Sequence, residues 1–291
     1  MKKIFQNNIL LKNDGVTEEF TPFHVEELTK CMLDPMYFIK NYVYIINLNV
    51  GLTKFGLYEY QQDLIQTALD NRFSIFVTAR QMGKTTTIAA FLLYKAMFTK
   101  DYKIGVLANK KANAREILSR IQLMYENLPF WLKIGLKTWN KSTIHFSNGS
   151  KIFAAATTSS SIRGESVNCI LLDEFAFVKN ADEFYTSTHP VVSSGKDTKI
   201  IITSTPNGMN LFYKLYIDSK HNRNNFANRM YKWDAHPERD AAWLEEMRKT
   251  MSEQQFDQEF NCVTGDTKIV VRNKHTNEIL IKTIQELYNE L

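Results

Sequence analysis

The chain has 291 residues, 44% hydrophobic and 23% charged, with a formal net charge of +5. That is ordinary globular composition for one large or two small domains. It excludes a membrane span, because no run of eighteen or so apolar residues occurs, and the amino end has two lysines but no apolar core for a signal peptide. Cys31, Cys169 and Cys262 are odd in number and far apart, without zinc-ligand spacing, which leaves a reducing compartment as the default. Residues 262–291 carry four basic and four acidic side chains, so the whole positive excess lies in residues 1–261. The excess permits a nucleic-acid partner without requiring one.

Polar residues dominate 1–22, which reads as a loose arm. "FHVEELTKCMLDPMYFIKNYVYII" (23–46) has helical apolar spacing, broken near Pro35, and "LYEYQQDLIQTAL" (57–69) reads as an amphipathic helix. "FSIFVT" (73–78) is an apolar β-rich run, followed by a polar turn and a helix in "ARQMGKTTTIAAFLLYKAMF" (79–98). "KIGVLA" (103–108) predicts a strand and 110–128 a helix. "STIHFSNGSKIFAAA" (142–156) predicts two strands joined at Asn148-Gly149. "NCILLDE" (168–174) and "TKIIITSTPNG" (198–208) are buried strands ending in acids and hydroxyls respectively. Strands alternating with helices imply a mostly parallel sheet covered on both faces, with ligands outside the carboxyl ends of the strands. All these polar clusters fall at such ends.

Thr78–Thr85, "TARQMGKT", fits GxxxxGK[ST] except that Thr78 stands in place of the first Gly. Ala79, Arg80, Gln81 and Met82 form the loop. Gly83 lets the backbone approach a phosphate, and the helix that follows offers unpaired N–H groups. Lys84 can reach the outer phosphates, the Thr85 hydroxyl suits Mg²⁺, and Thr86 follows in the first turn. Asp173 can hold Mg²⁺ through its water shell, and Glu174 can polarise an attacking water. Together these predict ATP hydrolysis. Arg80 can stabilise the γ-phosphate in cis, against the plainer reading of a surface Arg in a turn. Thr203, Ser204 and Thr205 either sense the γ-phosphate or simply end a strand. Gln61 has the donor and acceptor for an adenine edge, with Tyr60 stacking nearby; alone they read as helix-surface and core residues.

Taken together, Tyr60-Gln61, "TARQMGKTT", "SIRGESVNCILLDEFAF" (161–177) and "IIITSTPNGMNLFYKLY" (200–216) closely resemble the large terminase subunit of tailed phages, the myovirus type, over roughly 30–260. The resemblance implies an α/β, additional-strand P-loop ATPase that drives genome packaging. By motif match it puts Arg80 on the family's cis arginine, Lys84 and Thr85 on its phosphate-loop pair, and Asp173 and Glu174 on its metal acid and catalytic carboxylate. Thr203, Ser204 and Thr205 fall on the coupling motif, Ser204 where some relatives carry Thr, and Gln61 falls on the adenine-reading glutamine. It implies ATP and Mg²⁺ and a ring of copies. The implied partners are double-stranded DNA, the portal and the small terminase subunit, in the host cytoplasm on the procapsid and absent from the mature virion. Such subunits continue into a nuclease, which this chain is expected to lack. A helicase-like ATPase and a nucleotide-gated binding module remain the alternatives. DNA contacts are sought in 214–233, where Lys214, Lys220, Arg223, Arg229 and Lys232 outnumber Asp218.

After "QEFN" comes "CVTGDTKIVV" (262–271), which resembles the first block of an intein. The resemblance implies that Cys262 attacks the carbonyl of Asn261 to form a thioester. The plainer reading is a strand–helix extension with a buried Cys; alternation at 269–271 and 279–281 fits a hairpin under both. The organisation expected is a helical arm (1–56), an ATPase domain (57–261) and an intein N-fragment (262–291). The break at Leu291 is either that of a split intein, completed by a second chain carrying the other intein half and the nuclease, or a break within a longer chain. The split is the expectation, with a tail too small to bury its own apolar side chains.

Overall fold

The computed structural model describes residues 3–158, 166–193, 195, 197–262, 265, 267–272 and 278–290. Residues 161–165, Val263, Thr264 and Asp266, all within the motifs above, lie outside them.

Two helices come first, α1 (Pro22–Leu33) and α2 (Pro35–Tyr42). Each opens with a polar cap followed by proline, which needs no amide partner at that position. Thr21 Oγ1 accepts from His24 N at 3.3 Å and Asp34 Oδ1 accepts from Met36 N at 2.7 Å. The break expected at Pro35 is therefore present. The helical reading fails after Val43, because Tyr44–Asn47 forms β1, antiparallel to β2 (Gly51–Lys54). The Tyr-Ile-Ile run favours a strand, and Asn47 Oδ1 turns the chain by accepting from Asn49 N at 2.8 Å. The loose arm is also corrected. Leu11 is buried, Leu136 N donates to Lys12 O at 2.9 Å, and Lys133 Nζ donates to Leu10 O at 2.8 Å.

Helices and strands then alternate as α3 (Glu59–Asp70), β3 (Phe73–Thr78), α4 (Lys84–Phe98), β4 (Lys103–Ala108) and α5 (Lys111–Glu126). A meander follows: β5 (Leu136–Asn140), β6 (Thr143–Phe146) and β7 (Lys151–Ala156). β6 and β7 are the hairpin expected at Asn148-Gly149, whereas β5 escaped the sequence reading. Gly149 takes φ +84°, and Asn148 Nδ2 donates to the carbonyls of Ala96, Met97 and Thr99, closing the last turn of α4. The rest is β8 (Cys169–Asp173), α6 (Ala181–Ser193), β9 (Lys199–Ser204), α7 (Leu211–Lys220), β10 (Phe226–Tyr231), α8 (Ala241–Thr250) and α9 (Glu253–Phe256). A short π-helical stretch, Asp257–Asn261, leads to β11 (Lys268–Arg272), β12 (Ile279–Thr283) and α10 (Ile284–Asn289).

The main sheet has eight strands in the order β10-β3-β9-β8-β4-β7-β6-β5. It is parallel from β10 to β7 and antiparallel at β6 and β5. Apolar side chains leave both faces of its central strands. Ile104, Val106 and Leu171 meet α2, α3, α4 and α5 through Phe38, Leu64, Phe91 and Leu118. Ile75, Ile170 and Ile202 meet α6, α7 and α9 through Phe184, Phe212 and Phe256. This is the α/β architecture expected, a mostly parallel sheet flanked by helices. No described helix is long and apolar enough to cross a membrane. β11 and β12 pair as the expected hairpin, Val270 opposite Ile281. Val270, Ile279 and Ile281 are 72%, 67% and 70% exposed, so this face of the hairpin lacks a cover of its own.

Candidate active site

The strand order puts the carboxyl ends of β3, β9 and β8 side by side, and the three motifs occupy those ends. Register sets Val77 beside Ser204 and Thr203 beside Asp173. Beyond β3 the 79–83 loop turns sharply, with Gln81 at φ +58° and Gly83 at φ +71°. A Cβ on Gly83 would lie 2.8 Å from Gln61 Nε2, so glycine answers both the backbone and the space. α4 starts at Lys84, and its first amides face the loop without intrahelical acceptors. The loop's own entry is pinned: Ala79 N donates to Tyr231 O and Arg80 N to Glu259 O, both at 2.8 Å.

Lys84 is 6% exposed and its Nζ lies 2.9 Å from Glu174 Oε1. Thr85 Oγ1 donates to Asp173 Oδ2 at 3.3 Å, and Thr203 Oγ1 donates to Asp173 Oδ1. Burial pushes the Asp173 carboxyl above its ordinary range; Lys84 opposes the rise, Glu174 adds to it, and the Thr203 and Thr85 hydroxyls oppose it. Glu174 follows the strand in the left-handed region, at φ +51°, which turns its carboxylate toward Lys84 and Ser204. Ser204 Oγ donates to Glu174 Oε2 at 3.4 Å and accepts from Ala176 N at 3.2 Å. Thr205 is buried beside them in sequence. Thus Lys84, Thr85, Asp173, Glu174, Thr203 and Ser204 form one connected cluster.

The remaining sequence-predicted residues sit around it. Thr78 ends β3 buried, its hydroxyl without a partner. Met82 is buried, and its carbonyl accepts from Tyr60 Oη at 2.8 Å and Gln61 Nε2 at 3.2 Å. Gln61 Oε1 accepts from Tyr58 N at 3.1 Å, so both ends of its amide face inward. Thr86 Oγ1 accepts from Arg120 Nη1 on α5 at 2.7 Å. Arg80 extends outward, 64% exposed, with Nη1 3.1 Å from Glu259 Oε1. Of the basic residues in 214–233, Arg223 is paired with Asp218 at 2.9 Å and Arg229 with Asp63 at 2.6 Å.

The sequence reading missed Arg239 and Glu259. Arg239 Nη2 donates to Arg80 O at 3.0 Å and Gln81 O at 3.2 Å, while its guanidinium lies over Trp243 at 4.7 Å and Phe260 at 5.5 Å. No local pattern marks either residue. Each reaches the loop from more than 150 positions away in the chain. Asn261 and Cys262 close this same clasp. Trp233 Nε1 donates to Asn261 Oδ1 at 3.1 Å, and Asn261 Nδ2 donates to Asp257 Oδ1 at 2.6 Å. Cys262 takes φ +50° and is 1% exposed; its Sγ lies 3.8 Å from Tyr231 O, and burial pushes the thiol up to about 12.

This fold, with its polar cluster at the strand ends, defines an α/β protein built like terminase ATPase domains. The ATPase domain of the Thermus phage P74-26 large terminase superposes with a TM-score of 0.59 at 17% identity, over 72% of this chain and 94% of that one. The large terminase of the HK97 bacteriophage gives 0.67 at 18% identity, over 83% and 56%. The family model for the terminase large subunit, T4likevirus-type, N-terminal, matches residues 75–275, and the chain belongs to that family. It is 27% identical over 169 residues to tripartite terminase subunit 3 of human herpesvirus 8 type P (isolate GK18), covering 54% of this chain and 23% of that protein's length.

Proposed function

We propose that this chain binds and hydrolyses ATP as the motor part of a viral DNA-packaging terminase. The observation that carries the reading is the single cluster joining Lys84, Thr85, Asp173, Glu174, Thr203 and Ser204 across three adjacent strand ends. Gly83 and the start of α4 suit the phosphates, with Lys84 bridging to the outer ones. Thr85 and Asp173 fit Mg²⁺: a hydroxyl and a buried carboxylate face each other, and three or more His, Cys, Asp or Glu side chains do not gather for a cation anywhere among the described residues. Thr85 would hold such a metal directly and Asp173 through its water shell, and the metal would supply charge neutralisation at the phosphates.

Glu174 orients and polarises the attacking water once Lys84 has turned to phosphate. Arg80 serves as the cis arginine after leaving Glu259. Thr203, Ser204 and Thr205 carry the coupling role: Ser204 touches both the Glu174 carboxylate and the Ala176 amide, so loss of phosphate is felt in the turn 175–177. Ala79, Gln81, Met82 and Thr86 complete the loop. Tyr60 and Gln61 hold Met82 O, and reading adenine requires Gln61 to give up bonds it makes to Tyr58 N, Tyr60 Oη and Met82 O. The partners are double-stranded DNA, portal, small terminase subunit and further copies in a ring, in the host cytoplasm on the procapsid.

Residues 1–56 serve as the arm, 57–261 as the motor and 262–291 as an intein N-fragment that a second, nuclease-bearing chain completes. There the Cys262 sulfur adds to the Asn261 carbonyl, the C–N bond breaks, and the amine of Cys262 leaves with a proton. The buried, undissociated thiol makes the junction inert as it sits, so partner binding has to draw it away from Tyr231 O.

Phosphate release tests the motor. Glu174→Gln is expected to lose about 10²–10⁴-fold in turnover while still binding nucleotide. Equal rates for both proteins would remove Glu174 from its role. Binding without hydrolysis by the unaltered chain would leave only a nucleotide-gated module, and DNA unwinding without portal affinity would favour the helicase reading.

A further inference from the structure

Away from the site, at the opposite end of the sheet, the meander strands have one buried and one open face. Leu136, Ile144, Phe146, Ile152 and Ala154 point into the core beneath α5. Their alternates are only half-buried: Thr143 and His145 on β6, Lys151 and Phe153 on β7. Such alternation is what a sheet with one solvent-facing side shows. Register then lines up basic side chains across this open side. Lys103 of β4 pairs with Lys151, and Lys151 pairs with His145. His145 in turn pairs with Thr138, and a register shift between Leu136 and Thr138 sets the exposed Lys137 beside that row. The Lys151 ammonium lies over the Phe153 ring at 5.4 Å, and the ring lies across Gly105, where a Cβ would meet it at 3.2 Å.

The charges at this edge feel one another. His145 is pushed below its ordinary range, first by burial and then by Lys137 and Lys151, with Lys103 adding to the effect and Asp14 opposing it. Three lysines against one carboxylate around a histidine make this edge net basic. Its dimensions suit a phosphodiester backbone. Three strand spacings of about 4.8 Å span ~14 Å, a length of helix axis over which one strand of a duplex carries about four phosphates, one per ~3.4 Å of axis, only some of them facing a flat surface. Threonine hydroxyls and backbone-register lysines contact phosphate without reading bases, as a motor indifferent to sequence requires.

We propose that the open face of β5, β6 and β7, with Lys103, Lys137, His145 and Lys151, binds the phosphate backbone of double-stranded DNA. The proposal rests on the packaging reading above but places the contact outside 214–233, on a face remote from the 79–83 loop.

The test is a salt titration of binding to a labelled duplex of random sequence, by fluorescence anisotropy, with ATP turnover in the absence of DNA measured in parallel. In a Lys137→Glu/His145→Glu/Lys151→Glu variant the slope of log affinity against log salt is expected to shrink by about 2, since each of the two lost lysine–phosphate contacts removes ~0.9. Turnover without DNA stays at the unaltered level, which reports the fold. Lys137→Arg/Lys151→Arg keeps the original slope. Three reversals at Lys214, Lys220 and Lys232 change net charge by at least as much and leave most of the slope in place. A wild-type slope in the first variant, or an equal loss in the control, overturns the surface. Turnover without any duplex binding by the unaltered protein overturns the surface and leaves hydrolysis standing. Charge-dependent binding without turnover does the reverse.

Discussion

Replacing Arg239 with Ala should loosen the loop between β3 and α4 without touching any residue of the polar cluster. In the structure the guanidinium makes two hydrogen bonds to the carbonyls of Arg80 and Gln81 and lies over Trp243 and Phe260. Each bond is partly solvated and is worth about 1 kcal/mol net; the ring contacts add ~0.5–1 kcal/mol. The clasp therefore contributes about 2–3 kcal/mol. If all of it holds the loop in the binding-competent shape, losing it leaves that shape populated about 30- to 150-fold less, and the apparent nucleotide affinity falls by the same factor. Titration with a fluorescent ATP analogue reads the affinity, and a melting curve reads stability, with a drop of roughly 4–12 °C for that loss in a domain of this size. Arg239→Lys should recover part of the charge contact but neither the forked pair of bonds nor the full stacking. An Arg239→Ala protein with unchanged affinity and unchanged melting would refute the clasp.

Gly83→Ala should cost about 1–3 kcal/mol, from a left-handed alanine and from the push on Gln61 Nε2 2.8 Å away. In a Gln61→Ala background the same change should cost less, and equal costs in a double-mutant cycle would show that the two do not touch. Glu27 accepts from Tyr42, Lys30 and Tyr37, bonds that lower its carboxyl from the ordinary 4.5 to about 2. A carboxyl lowered in the folded state adds stability that is complete above 4.5 and disappears as pH falls toward 2. Denaturant titrations across that window should show a steep acid loss in the unaltered chain and a shallower one in Glu27→Gln. Burial raises Cys31, Cys169 and Cys262 each to about 12. An aromatic disulfide reagent at pH 8 should thus find no fast thiol in the native chain and all three once it is unfolded; rapid native labelling of Cys262→Ala and the unaltered chain alike would assign the reactive thiol elsewhere, and rapid labelling lost in Cys262→Ala would show the junction open.

Local pattern carried much of this molecule. Apolar runs of five or six residues, each followed by a polar turn and a helical stretch, are enough to announce the parallel sheet, because a strand buried on both faces must be apolar throughout. Gly83 before Lys84-Thr85 and the Asp173-Glu174 pair announce themselves for a related reason: the turn and the acids must sit at strand ends, where side chains leave the core. What stayed hidden was partly covered or edge structure. β10 carries Arg229 and Asn228 in "FANRMY", and its alternation is masked by the charge that Asp63 neutralises. β5 is short and lies at the sheet margin, where one-sided burial leaves little apolar signal. The arm before α1 looked loose because its attachment runs through backbone groups of Leu10 and Lys12, which no side-chain pattern records.

By itself, then, the sequence determined the alternation of elements, the loop with its lysine and threonine, and the acids that face them, since each is a matter of neighbours along the chain. The tertiary structure alone decided that Ser204 would bridge Glu174 to Ala176, that Arg239 and Glu259 would hold the loop from far down the chain, and that Cys262 would be sealed beneath it. It also decided that lysines from separate strands would share one face. The reason is strand order: β3, β9 and β8 become neighbours only when crossovers fold back, and contacts between residues so distant in sequence leave no periodicity in it.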